Sequence, residues 1–137
     1  MAEELILSGI SVLPVASSKK PAVASWSKYQ DDIMTIDDSE KLFQKAWGVG
    51  VICGKVSGYL EAIDFDAHNK NIQEIWDQFI GNDAVNFILE SNNVYIERSK
   101  SGGYHLIYRY ESDKRPDGSM KLAFWETGDG SDSMIET

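Results

Sequence analysis

An apolar, β-branched run that ends in two acids one residue apart, residues 59–66, constrains the fold more than any other stretch of the chain. Side chains alternate between the two faces of a strand, so Asp64 and Asp66 are expected on one face and Phe65 on the other, in a core. Two neighbouring carboxylates repel each other unless a cation lies between them. Because divalent metals prefer oxygen ligands, the pair suggests a metal site. The alternative is a strand end whose acids face water or cap the next helix.

Composition narrows the class of protein. The 137 residues suit a single domain, 1–137, and a hydrophobic content of 42% is typical of a folded chain. The net charge of -9 argues against tight, non-specific DNA binding by the whole surface, although a local basic patch remains compatible with it. The single cysteine, Cys53, excludes an internal disulfide. Without an apolar run of transmembrane length or a basic N-terminal signal, we expect a cytoplasmic protein and no membrane partner.

Hydrophobic periodicity and turn residues predict an alternation of helices and strands. Helices are predicted over 2–8, 37–46, 70–80 and 83–90, and strands over 10–15, 47–54, 59–66, 94–98, 104–110, 121–125 and 134–137. The second and third of these strands are separated by a short turn, so we expect them to form an antiparallel hairpin. Polar residues over 111–119 and 127–133 predict loops.

A Gly-rich turn over 99–103 precedes an imidazole at the start of a predicted strand. Alternation places His105 on the face opposite Leu106. The turn offers a cation, a hydroxyl and backbone amides next to that imidazole, a combination suited to a triphosphate. The residues concerned are Lys100, Ser101, Gly102, Gly103 and His105. The alternative is a buried structural histidine.

Cations are interleaved with aromatic residues near the N-terminus. Lys19 and Lys20 are followed closely by Trp26, Lys28 and Tyr29. Phosphate attraction combined with base stacking suits a nucleotide or a single strand. The alternative is a solvated loop beside a core tryptophan.

Taken in order, these motifs resemble the N-terminal domain of bifunctional DNA primase-polymerases, in the archaeo-eukaryotic primase superfamily. The matching stretches are residues 19–21, 26–29, 48–50, 63–66, 101–105 and 135–137. The resemblance implies an α+β fold: an RRM-like antiparallel catalytic sheet with flanking helices, joined to a smaller α/β N-terminal module across a cleft. It also implies replication of a phage, a plasmid or another mobile element.

The resemblance also assigns roles to residues. It implies that Asp64, Asp66 and Glu136 bind Mg²⁺ or Mn²⁺, and that His105 binds the phosphates of an NTP or dNTP. With the turn residues Lys100, Ser101, Gly102 and Gly103, and with Lys19 and Lys28, these form the expected catalytic and nucleotide-binding set. The expected partners are a single-stranded DNA template, a primer and a helicase, either on the same polypeptide or separate.

The chain departs from the family pattern in two ways. Many members have a glutamate where this chain has Asp66, and most continue past the third motif with Arg-Gly, whereas this chain ends at Thr137. We therefore expect a C-terminally incomplete domain that is poorly active alone. Two other functions use the same residues: a metal-dependent nuclease, which needs no triphosphate pocket, and a non-catalytic RRM-like module that binds nucleotides or single strands.

Overall fold

The computed structural model describes residues 1–66, 71–90, 93–110, 120–127 and 130–137. Within this part, the chain divides into two compact units, Met1–Leu60 and Glu61–Thr137. Helices and antiparallel strands occur in both, which confirms the predicted α+β class. The loop predicted over 111–119 and the predicted first helical residue, Lys70, lie outside the described residues.

The first unit is a small two-stranded antiparallel sheet with two short helices. Its elements are α1 (Ala2–Leu7), β1 (Ser11–Val15), α2 (Ile36–Leu42) and β2 (Gly48–Ile52). Gly9 takes the left-handed φ of 74° after α1, which confirms the predicted helix stop. The helix predicted over 37–46 is shorter than expected, because its last turn tightens into a 3₁₀ helix at Phe43–Lys45. Leu13, Tyr29 and Met34 form the buried core of this unit.

The predicted hairpin between the second and third strands is wrong. β2 pairs with β1, and the acidic strand β3 (Leu60–Phe65) belongs to a different sheet. The cause lies in the connection, where Gly54 and Gly58 have positive φ and flank a 3₁₀ turn. In that turn the fully buried Ser57 hydroxyl accepts the amide of Ser11 and donates to the carbonyl of Ile52. These bonds hold the turn against β1 and β2, so the chain leaves their sheet.

The second unit is a five-stranded sheet built around β3. The other elements are α3 (Ile72–Ile80), α4 (Asp83–Glu90), β4 (Val94–Arg98), β5 (Tyr104–Arg109), β6 (Lys121–Thr127) and β7 (Gly130–Glu136). The strand order is β4-β5-β3-β7-β6, so β3 lies between β5 and β7. β5 lies between β3 and β4, the two strands that α3 and α4 connect, which is the arrangement of a split β-α-β unit. Within the described part of the chain, no helix is both long and apolar enough to cross a bilayer.

One face of this sheet packs against α3. Phe65 is completely buried and meets Trp76 edge to face, with the two ring centroids 5.0 Å apart. Ile72 and Leu106 complete the buried cluster. Apolar residues at helical spacing in α3 thus form one side of the core, and odd-numbered residues of β3 form the other. Asp64, and Asp66 just past the end of β3, are left on the opposite face.

The last hairpin differs from the predicted loop over 127–133. β6 continues to Thr127 and β7 begins at Gly130, so only the tip of the predicted loop separates the two strands. The glycine, serine and aspartate residues there have low strand propensity. The long antiparallel pairing of β6 with β7 satisfies their backbone groups and overrides that propensity.

Candidate functional site

The register of the central strands brings two carboxylates opposite each other. In the antiparallel pairing of β3 with β7, Asp64 faces Glu136, and Phe65 faces Ile135. Directly opposed residues share a face, with Cβ atoms about 4.5–5.5 Å apart. Because Phe65 points into the core, Asp64 and Glu136 lie on the face away from the core. Like charges in this arrangement destabilise a sheet, so the pair has a cost unless a cation binds to it.

Asp66 is the third acid on this face. It follows Asp64 by two residues, and its amide donates to the carbonyl of Met134, 2.9 Å away, which continues the pairing of the two strands. Among the described residues, no group of three or more His, Cys, Asp or Glu side chains is already gathered as a metal site. The three acids therefore share a face without forming a preassembled coordination shell.

His105 lies beside this acidic pair on the neighbouring strand. Its Nε2 is 3.5 Å from Oδ1 of Asp64, and its Nδ1 is 2.7 Å from Oε1 of Glu97 on β4. The side chains of His105, Asp64 and Glu97 are 34%, 44% and 43% exposed, so all three are open to a ligand. The imidazole thus bridges two carboxylates in a row that runs across four strands and ends at Glu136.

The Gly-rich turn before His105 is closed by its own hydrogen bonds. The Gly102 amide donates to the Ser99 carbonyl, and the Gly103 amide donates to the Ser99 hydroxyl, both at 2.9 Å. Gly102 has a φ of 97°, a conformation that favours glycine. The hydroxyls of Ser99 and Ser101 are 3.0 Å apart, and Lys100 is exposed at the tip. An anion that bound here through these two amides would replace bonds inside the turn.

The basic and aromatic residues of the first unit lie in two different places. Lys19 and Trp26 line one shallow depression, over β1 and β2. Lys28 lines another, beside α2, and its ammonium lies 4.6 Å from the centre of the Tyr29 ring. Trp26 is 43% exposed, so the alternative of a core tryptophan is wrong. Lys19 itself has a left-handed φ of 62°, an uncommon conformation for a residue with a side chain.

On the core side of the sheet, the carboxylate of Glu61 contacts the phenol of Tyr108. The hydroxyl of Tyr108 donates to Oε2 of Glu61 over 3.4 Å. Burial, followed by the charge of Glu61 and this hydrogen bond, raises the pKa of Tyr108 to about 12. This pair lies on the sheet face opposite Asp64, so the pKa of Tyr108 depends on the core side of the sheet.

Glu97 is the one member of the row that the sequence analysis missed. The signal was present, because a five-residue turn over 99–103 pairs Arg98 with Tyr104, and therefore Glu97 with His105. Counting back from the turn would have found it.

Comparisons with known proteins point to one family. A family model described as bifunctional DNA primase/polymerase, N-terminal, matches residues 2–127. Asp64, Asp66, Glu97 and His105 lie inside the matched range, and Glu136 lies beyond it. A comparison with curated proteins finds no match.

Proposed function

The chain belongs to the family of bifunctional DNA primase/polymerase N-terminal domains, and from this premise we propose that it transfers a nucleotide from an NTP or dNTP to a primer 3′-hydroxyl. Among the structural observations, the one that supports this proposal most is the pairing of Asp64 with Glu136, with His105 at 3.5 Å from Asp64. It gives one sheet face both an acidic site for cations and a donor for phosphate.

The acids fit the cation that such a reaction uses. Asp64, Asp66 and Glu136 would hold Mg²⁺ or Mn²⁺, since hard divalent ions take carboxylate oxygens. When bound, these ions stabilise the attacking and leaving oxygens of an in-line displacement. The repulsion between Asp64 and Glu136 in the metal-free sheet supports this assignment, because a shared cation removes it.

The phosphates of the incoming nucleotide would bind to His105 and to the Gly-rich turn that precedes it. When the imidazole carries a proton on both nitrogens, Nε2 of His105 donates to a phosphate oxygen while Nδ1 keeps its bond to Glu97. Lys100 and Ser101 add a cation and a hydroxyl from the turn. The amides of Gly102 and Gly103 become donors to phosphate once they release Ser99.

The first unit has its own candidate contacts for a nucleotide or a single strand. Lys19 lies in the same depression as the exposed Trp26, so a phosphate and a base can be bound together there. Lys28, beside Tyr29, offers a separate phosphate contact. The roles in replicating a phage, plasmid or other mobile element, and beside a helicase, rest on the family resemblance alone.

Primer extension on a single-stranded template tests this function. With Mn²⁺ or Mg²⁺, we expect weak but detectable primer extension by the wild-type chain and none by Asp64→Asn. The matched control is Glu74→Gln on the exposed side of α3, which makes the same change of charge in the same unit and should retain activity.

The rival functions give different results. Cleavage of the primer without incorporation would support the nuclease. Metal-dependent binding of dNTP without product on any template would support the non-catalytic binding module. The absence of both product and triphosphate binding would contradict the proposal altogether.

A further inference from the structure

A carboxylate on the edge strand holds the imidazole of His105. We propose that Glu97 is a positioning residue, which orients the ring of His105 so that Nε2 faces the triphosphate site. The inference rests on the proposed function, because the triphosphate role of His105 comes from it. The contact between the two side chains is independent of that function.

Glu97 restrains the imidazole ring of His105 at Nδ1, on the side away from Asp64. Glu97 Oε1 is 2.7 Å from Nδ1, a short distance typical of a strong hydrogen bond, and Nδ1 is the donor because a carboxylate can only accept. Nε2 is directed the other way, towards Asp64 at 3.5 Å. A flip of the ring would break the bond to Glu97 and exchange the two nitrogens.

The hairpin fixes the backbone of His105, so rotation of its side chain is the main freedom that remains. Tyr104, adjacent to His105, stacks on Trp76 with centroids 4.3 Å apart, and its hydroxyl donates to Gln73 over 2.6 Å. These contacts tie the start of β5 to α3. The backbone of His105 is therefore fixed by the core, and Glu97 supplies the restraint on ring rotation.

The exposure of the pair argues against a purely stabilising role. Both side chains are more than one third exposed, at 43% for Glu97 and 34% for His105. Ion pairs with this much access to water contribute little to stability. Glu97 is also separated from Asp64 by β5, so it lies outside the acids proposed to hold the metal. Orientation of the ring is the effect that remains.

The first test reads the ring itself, without metal or nucleotide. Nitrogen-15 NMR of the imidazoles is recorded for the wild type, Glu97→Ala and the control Glu90→Ala, an exposed glutamate on α4. The chain has two histidines, and His68→Gln assigns the signals. We expect a proton held on Nδ1 of His105 in the wild type and control, and its loss or exchange between nitrogens in Glu97→Ala. An unchanged spectrum in Glu97→Ala would overturn the inference.

The second test asks whether Glu97 acts through His105. The affinity for dATP with Mn²⁺ is measured in a double-mutant cycle. We expect Glu97→Ala to weaken binding roughly tenfold in the wild-type background and to have no further effect in His105→Ala. Glu97→Gln should retain part of the affinity, since its amide oxygen still accepts from Nδ1.

The outcomes separate this inference from the proposed function. An equal loss in both backgrounds would overturn the positioning role, because Glu97 would then act without His105. A changed NMR spectrum in Glu97→Ala would confirm the contact between Glu97 and His105. If no form of the protein then bound dATP, the proposed function would be contradicted, and the positioning role with it. Unfolding temperatures that fall in Glu97→Ala but not in Glu90→Ala, without a change at His105, would show a structural role only.

Discussion

Asp64 and Glu136 face each other across the pairing of β3 with β7, on the sheet face that the core leaves open. The two residues lie far apart in the chain and are brought together only when the last strand pairs with the central one. Each carboxylate sits where a like charge is unfavourable, which suggests a site organised for a cation rather than for stability.

Removing one of these charges should not destabilise the metal-free sheet. With EDTA, we expect Glu136→Gln to be at least as stable as the wild type, because the substitution relieves repulsion with Asp64. Mn²⁺ at a hundred times its dissociation constant should stabilise the wild type by about 2.7 kcal/mol, and Glu136→Gln by less. Thermal unfolding with and without Mn²⁺ measures both effects. A variant that loses stability in EDTA but gains as much as the wild type from Mn²⁺ would contradict this reading.

The Gly-rich turn should change when a triphosphate binds. Adding dATP with Mn²⁺ should shift the NMR amide signals of Ser101, Gly102 and Gly103, because the last two amides must leave Ser99 to reach phosphate. His105→Ala should weaken binding of the triphosphate more than that of the nucleoside. Shifts confined to residues distant from the turn would place the phosphate site elsewhere.

The lysines of the first unit are tested by salt. If Lys19 and Lys28 contact phosphates of a single strand, affinity falls as salt rises, with a logarithmic slope of about -0.7 for each contact. The double variant Lys19→Ala with Lys28→Ala should flatten that slope. The control pair, Lys45→Ala with Lys55→Ala, removes the same charge from exposed positions of the same unit. Equal slopes in both double variants would favour the solvated loop.

Tyr108 predicts the alkaline behaviour of the sheet. Its pKa is raised to about 12 in the folded protein, above the ordinary value of 10.0. The folded state therefore holds the phenol proton more tightly than the unfolded state. The corresponding stability is complete below pH 10 and is lost as the pH rises towards 12. Unfolding followed between these pH values should show this loss in the wild type and less of it in Tyr108→Phe. An identical pH dependence in both would contradict it.

The sequence predicted the local elements well, because their signals are local. The spacing of Ile72 and Trp76 places α3 on the sheet, and the alternation around Phe65 leaves Asp64 and Asp66 on the open face, as expected. Strand partners were harder to predict. Nothing in the stretch over 47–66 shows that Ser57 is buried against β1, and this contact is what separates β2 from β3.

The candidate site divides in the same way. Asp64 and His105 follow from motifs within single strands, whereas their neighbourhood depends on sheet order. Glu97 follows from the length of one turn, and the pairing of Glu136 with Asp64 depends on β7 pairing with the central strand β3. Lys19 and Lys28 are close in sequence, yet they line different depressions, one over β1 and β2 and the other beside α2.

Calorimetric titration of Mn²⁺ tests most directly whether the three acids form one metal site. We expect the wild type and Glu74→Gln to bind with equal affinity, and Asp64→Asn, Asp66→Asn and Glu136→Gln each to lose about tenfold or more, since affinity follows the number of charged ligands. Mn²⁺ is the better probe, because Mg²⁺ keeps its waters and depends on substrate phosphates. Unchanged Mn²⁺ affinity in all three acid variants would contradict the metal site, and with it the proposed mechanism.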